Sequence, residues 1–402
     1  MAAMVVMSNM VHPFTVRKGS DLDDDLKEVA KQVIGGAWQA FPADDITIKV
    51  ISGGITNQLY KLEGPPEEAA VLVRIYGEDT DILIDRERDN RIFNELSNLG
   101  YAPLYLGRFS NGRIEGYLPA RPLKPFEMGH RSPVDFVSLI AKEMARLHGL
   151  PLTTLGATKT AEIWDVLTKW LQLVKGLTFE DADKASAVAA LDLDWVHDEL
   201  VWARQHLCPP DDPLNGLGTG AANDSHETVE DRARAFLSEV VVCHNDLLSG
   251  NVLHADGWDR VQVIDYEYSG YNYRGFDIAN HFCEHAGFDS NFDKSYPTAE
   301  IQEAFLGAYV RAWIPVGLDA ADCEDEGAFI KALRAEVNKW TLPSHLWWAV
   351  WAILQARYSP IEFDFVEYAR LRFTGYRLHK KMFFGAEQDG GCEDAADGSV
   401  GS

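Results

Sequence analysis

Residues 241–269, VVCHNDLLSGNVLHADGWDRVQVIDYEYS, constrain this chain more than any other stretch. An apolar run leads into a polar loop that carries Asp246 and Asn251, and a second apolar run, VQVI, then delivers Asp265. From His244 to Asn251 the loop follows an H-x-D-x-x-x-x-N spacing. Loop, strand and closing acid in that order match the layout of an ATP-dependent phosphotransferase site. Such chemistry needs one carboxylate to orient and deprotonate the accepting hydroxyl, and hard oxygen ligands to hold magnesium on the nucleotide phosphates. Asp246 can supply the first; Asn251 and Asp265 can supply the second. His244 reads as a structural residue that hydrogen-bonds the loop, since the role of base falls to Asp246.

The rest of the composition narrows the setting. A chain of 402 residues with 46% hydrophobic content can bury a large core, organised as two lobes around a cleft. Its net charge of -25 argues against a nucleic-acid partner and against adhesion to anionic membranes. A cationic small substrate would suit that field. The cysteines at 208, 243, 283, 323 and 392 are few, odd in number and without metal-site spacing, which points to reduced, cytoplasmic chemistry. The N-terminus lacks the basic flank and apolar length of a signal peptide, and no segment approaches a membrane span.

Hydrophobic periodicity predicts an α+β organisation. A flexible N-terminus (1–24) precedes a small lobe (25–119). In that lobe a helix from Asp21 to about Ala37, capped by Asp21 or Asp23, leads into the strands ITIKVI, NQLYKLEG and AVLVRIYG. An amphipathic helix ending at Gly100 follows, then two strands joined by an Asn-Gly turn. From 120 to 384 the pattern is that of long helices, including VDFVSLIAKEMARLHGL and segments within 161–207 and 299–314. The stretch 208–226 reads as a mobile insertion and 385–402 as a disordered tail.

Two further features bear on a nucleotide site. In ISGGITNQLYKL, Gly53 and Gly54 between strands permit close backbone approach to phosphate oxygens, although such a pair is equally a plain hairpin turn. Arg74, in VLVRIYG, is a cation inside an apolar strand, which is costly unless paired. An acid of the following helix, Glu87 or Asp89, is the expected partner, and the two cannot share one helical face. The alternative is an arginine snorkelling from an edge strand.

ISGGITNQLYKL, VLVRIYG, CHNDLLSGNVL and VIDYEYSGYNYRGFDIANHFCE together resemble the choline/ethanolamine kinase family, from about residue 25 to 383. The resemblance implies a protein-kinase-like two-lobe fold, a small β-rich lobe on a larger helical one, with ATP between them and Mg2+. By motif position Asp246 resembles the family's catalytic base, Asn251 and Asp265 its metal ligands, and Arg74 its phosphate-contacting cation. Ser52, Gly53 and Asn57 fall in its nucleotide loop, and Gly116, Tyr117 and Leu118 where its hinge meets adenine. Glu284 would lie near the substrate's ammonium, with a salt bridge to an arginine such as Arg274 as the alternative. Trp348 and Trp351 match the aromatic wall of the amino-alcohol pocket, and Trp347 reads as core. Glu267 would orient the loop or the metal's water shell, and Asp277 would cap the helix starting at IANHF and brace the loop. Family members are often homodimers.

The alcohol is the finer question. Choline's quaternary ammonium cannot donate hydrogen bonds and is best held by aromatic faces, whereas ethanolamine offers three N–H donors. Leu248, and His285-Ala286-Gly287 after the acid, resemble the ethanolamine branch; Cys283 resembles the choline type. The balance favours ethanolamine, phosphorylated as the first step of the phosphatidylethanolamine branch of phospholipid synthesis, and leaves choline or dual activity open. An aminoglycoside-type phosphotransferase, a catalytically dead nucleotide-binding scaffold and a protein kinase rank behind. Asn245 stands where a protein kinase usually has Arg, and no Asp-Phe-Gly follows.

Overall fold

The computed structural model describes residues 11–51, 57–77, 83–208, 228–313 and 326–385. Within these, the N-terminal lobe is built on a six-stranded sheet in the order β1-β5-β6-β4-β3-β2. Its strands are β1 (Val11–His12), β2 (Thr47–Ile51), β3 (Asn57–Glu63), β4 (Val71–Tyr76), β5 (Tyr105–Phe109) and β6 (Gly112–Gly116). Only β1 runs parallel to its neighbour, pairing Val11 with Arg108 of β5. Residues 11–24, expected to be flexible, therefore belong to this lobe. Asn111 ties them down further by accepting from the Val16 amide (3.0 Å) and donating to its carbonyl (2.9 Å).

Helix α1 (Leu22–Ile34) buries Leu26, Val29, Ala30 and Val33 at helical spacing against the sheet. Asp21 occupies its N-cap position but makes no side-chain capping bond; the acids of the first turn favour that end electrostatically. In the short helix α2 (Gly36–Ala40), Trp38 seals the lobe's core. A β-carbon at Gly64 would come within 2.7 Å of its ring, which leaves no room there for a larger residue. Ser110 and Asn111 form the β5–β6 connection, one position earlier than the Asn-Gly pair suggested. Helix α3 (Arg86–Asn98) starts at Asp85, whose carboxylate accepts from the Arg88 amide at 3.0 Å. Its apolar face, Ile92, Phe93 and Leu96, joins the core of the second lobe, so α3 straddles the cleft.

The C-terminal lobe is helical. Helix α4 (Phe136–His148) is followed by α5 (Ile163–Lys175), α6 (Ala182–Ala189), α7 (Leu193–Leu207) and α8 (Val229–Leu237). Strand β8 (Val240–Cys243) pairs with β11 (Gly270–Tyr273), while β7 (Arg121–Pro122), β9 (Val252–His254) and β10 (Gln262–Val263) form a small sheet beneath the interlobe connection. Then come α9 (Arg274–Glu284), α10 (Phe292–Ser295), α11 (Ala299–Trp313), α12 (Glu326–Val337), α13 (Thr341–Tyr358) and α14 (Phe365–Phe384). Helix α13 is buried on every side from Thr341 to Ala356, as expected of a helix without a polar face. It packs against α5, α9 and α14 and is the spine of the lobe. No helix of the described residues is long and apolar enough to cross a membrane. Most of 208–226 and 385–402 lies outside the described residues, as do Ser52, Gly53 and Gly54.

Candidate active site

The loop after β8 is held by hydrogen bonds that the backbone alone could not make. Asn245 has φ of 65° and Asp265 φ of 67°, the left-handed region that non-glycine residues rarely adopt. Such conformations cost about 1–3 kcal/mol each and persist only where the surroundings over-determine them. Around Asn245 they do. Its amide donates to Asp277 Oδ1 (2.7 Å), its Nδ2 to the Tyr268 carbonyl (2.8 Å), and its Oδ1 and carbonyl accept from Asn272 and Asn280 (both 3.1 Å). The His244 amide donates to Asp277 (2.8 Å), and its ring lies between the Ile264 carbonyl (3.0 Å) and the Asp246 amide (3.2 Å).

Asp277 braces the loop but does not cap the helix. Helix α9 begins three residues earlier, at Arg274, so Asp277 lies inside the first turn and spends its oxygens on the loop amides and on His148 Nε2 (2.9 Å). Burial pushes its carboxyl up, yet the hydrogen bonds and charge from His148 and His244 outweigh this and hold it below the usual carboxylate range.

Asp246 is turned into the cleft. Asn251 Nδ2 donates to its carbonyl (2.9 Å) and to Oδ2 (3.2 Å), while the buried Oδ1 has no partner among the described residues. With Nδ2 spent on Asp246, the Asn251 Oδ1 is left for another electrophile. Burial, reinforced by Glu284, Asp265 and Glu267, pushes the Asp246 carboxyl well above the ordinary range. Glu267 is pushed up by burial and Asp265, against the opposing pull of Arg86.

Arg74 sits in an interior strand, between β3 and β6, and its recorded partners differ from the expected ones. Nε donates to Glu115 (3.0 Å) and Nη1 to Asp265 (3.2 Å). Glu87 instead pairs with Arg108 (2.6 Å) and Asp89 with Arg113 (2.7 Å). Arg113 also holds Glu115 (2.7 Å), which links the Asp89 of α3 to the acid that Arg74 shares. Glu115 comes from the strand paired with β4, where cross-strand neighbours lie close. Arg86 completes the row by bonding Glu267 (2.9 Å), and Asn57 lies 3.5 Å from the same carboxylate. At the expected hinge, Gly116 and Tyr117 commit their amides to Leu104 and Ala70, whereas the Leu118 amide has no partner among the described residues.

A cavity of about 360 Å³ brings these elements together. Asp246, Asn251, Asp265 and Glu267 line it together with Glu284, Trp348 and Trp351. Leu248 also faces it. Of the segment after Glu284, His285 and Ala286 turn into the protein, and Phe288 reaches the cavity in their place. Glu284 pairs with Arg372 (3.1 Å) and Arg274 with Glu239 (2.6 Å), so the suggested Glu284–Arg274 bridge is not formed. Trp347 is core, against Trp170 and Phe276.

Sequence reasoning missed Tyr268, Phe288 and Tyr368, which line the cavity with the two tryptophans. Trp351 Nε1 donates to the Tyr268 hydroxyl (2.8 Å), and Trp348 meets Trp351 and Tyr268 edge-on at 5.3 and 5.6 Å. Tyr268 stood inside the DYEYS run and could have been read as following Asp265 into the site; Phe288 and Tyr368 carried no local signal. The fold also assembles metal-capable atoms that spacing did not reveal, Cys283–His345–His379 and His148–Cys243–Asp277. In each, a hydrogen bond joins two members: His345 to His379 at 3.0 Å, and His148 to Asp277.

The family model for choline/ethanolamine kinase matches residues 48–377. The chain is 34% identical over 350 residues to a probable ethanolamine kinase of Arabidopsis thaliana, covering 86% of this chain and 83% of that protein. It is 33% identical over 378 residues to a probable choline kinase 2 of the same organism, covering 91% and 95%. The solved structure of an ethanolamine kinase from Plasmodium vivax superposes with a TM-score of 0.70 at 27% identity, covering 93% of each chain. A helical lobe under a mixed-sheet lobe, a catalytic loop in the cleft and these matches agree: the chain belongs to the choline/ethanolamine kinase family.

Proposed function

We propose that this chain transfers the γ-phosphoryl group of ATP to ethanolamine, giving phosphoethanolamine and ADP. The observation that carries this reading is the shared cavity, which Asp246 lines together with Glu284 and the tryptophans. The Asp246 carboxylate accepts the hydroxyl proton as the substrate oxygen attacks the phosphorus in line. Glu284 and the aromatic faces hold the ammonium end. Arg74, anchored by Glu115, contacts the phosphates, and the Leu118 amide, without a partner among the described residues, donates to adenine.

The donor set fits magnesium: an amide oxygen and carboxylates, all hard, gathered where their mutual repulsion calls for a cation. Asn251 and Asp265 would hold it, with Glu267 ordering its water shell. When bound, the ion neutralises charge on the nucleotide phosphates. The raised carboxyls of Asp246, Glu267 and Glu284 supply a test. Groups whose folded-state pKa is raised favour the fold at low pH, and that stability is lost as pH rises through the folded values. Magnesium should therefore raise the melting temperature more at about pH 8 than at about pH 5.5. A shift of equal size at both, measured against a chelator control, would count against this assignment.

A second reading, choline as co-equal substrate, is favoured by the aromatic lining of Tyr268, Phe288, Trp348, Trp351 and Tyr368, which suits a quaternary ammonium. ADP release with magnesium-ATP and either alcohol separates the two. Higher kcat/KM for ethanolamine is expected; equal efficiency or a choline preference would overturn the substrate assignment. Buried free thiols at Cys208, Cys243 and Cys283 suit a reducing cytoplasm.

A further inference from the structure

The geometry points to Arg372 as the positioning residue that holds the ammonium-binding side chains of the cavity in register with the catalytic loop. This rests on the reading of the cavity as an amino-alcohol site. Arg372, on α14, is 1% exposed, and its planar fork is used on both sides. Nη1 donates to Glu284 Oε1 (3.1 Å) and to the Tyr368 hydroxyl (3.3 Å), two groups that line the cavity from different helices. Nη2 donates to the carbonyl of Ser344 (3.1 Å) and to its Oγ (2.9 Å).

From Ser344 the connection runs on to the chemistry. Ser344 Oγ donates to Asn280 Oδ1 (2.8 Å), which also accepts from Trp348 Nε1 (2.7 Å). An indole N–H can only donate, so the orientation of the Asn280 amide is settled. Its Nδ2 then donates to the carbonyl of Asn245 (3.1 Å), the residue before Asp246. Glu284, Tyr368 and Trp348 are thus tied through one buried network to the loop that carries the base. Arg372 takes only Oε1 of Glu284, which leaves the second carboxylate oxygen without a partner among the described residues and available to a cation in the cavity. Arginine suits the position because its five donors lie in one plane; an ammonium could not serve Glu284, Tyr368 and Ser344 together.

The test is steady-state kinetics of Arg372→Gln, Arg372→Lys and Ser344→Ala, with the amino alcohol and ATP varied separately. Arg372→Gln should raise the amino-alcohol KM by about 10- to 100-fold, the scale of lost charged hydrogen bonds, while the ATP KM changes little. Arg372→Lys should recover part of that loss. Ser344→Ala, which spares the Glu284 contact, should raise the amino-alcohol KM by only about 2- to 10-fold. Thermal melts accompany each variant, and if Arg372→Gln does not fold, the lysine and Ser344 variants decide. An unchanged amino-alcohol KM in the folded Arg372 variants, or an equal rise in the ATP KM, overturns the role of Arg372 alone. Absence of wild-type turnover with both alcohols would instead remove the functional reading beneath it.

Discussion

Exchanging Asp246 for Asn should lower turnover by about 10²- to 10⁴-fold, the scale of a general base in the transition state. The KM values for ATP and the amino alcohol should stay within a few-fold, because the lost interaction develops only as the hydroxyl proton moves. The amide can still accept from Asn251 Nδ2, so the loop keeps the contacts at 2.9 and 3.2 Å that orient it. Thermal stability should not fall. Burial and the neighbouring Glu284, Asp265 and Glu267 all oppose the charged carboxylate, and a neutral isostere removes that opposition. Turnover close to wild type would sink the assignment of Asp246. A large fall in melting temperature would show that the carboxylate has a structural duty not visible in its contacts.

The second large effect is on stability. Asp277→Ala removes the acceptor for the buried His244 and Asn245 amides, and leaves His148 without its partner at 2.9 Å. Breaking a buried charged group of this kind costs about 3–5 kcal/mol. For a chain of this size the melting temperature should drop by roughly 4–6 °C. The left-handed Asn245 loses the acceptor of its amide, and His244 before it loses its own, so turnover should fall too. The depressed pKa of Asp277 sets the sign of the pH effect. Its contribution is present above the carboxyl's unfolded pKa and is lost as pH falls through the folded value. Melting temperature, measured on the folded variant, checks the claim; an unchanged value would mean that other groups hold the loop. Asp277→Asn, which keeps one acceptor oxygen, should fall between the two.

What was legible in the residues and what was not divides along sequence distance. Alternation in β2, β3 and β4 and the helical spacing of α3 and α4 are local signals, and both kinds of element formed where those signals lay. The β1 strand was not legible, because two residues carry no period; its pairing with β5 exists only once the sheet is built. Helix boundaries moved for similar reasons. Tyr273 rather than Asp277 precedes α9, since the carboxylate gains more from two loop amides than from a helix end. Arg74 was recognised as a cation needing an acid, but the acid came from the paired strand.

Within the site, sequence by itself determined the reaction. His244, Asp246 and Asn251 share the loop after β8, and the short hairpin of β9 and β10 returns Asp265 to it, so that Asp246, Asn251 and Asp265 line one cavity. The tertiary structure alone decided the rest of the cavity proposed to hold the amine. Tyr268, Glu284, Phe288, Trp348 and Tyr368 come from separate elements, and they meet because α13, buried on every side, draws α9 and α14 against it. No periodicity records such a meeting. Arg372 shows the limit most clearly: in the sequence it is one more cation on a helix, and its partners at Glu284 and Ser344 exist only in the packed core.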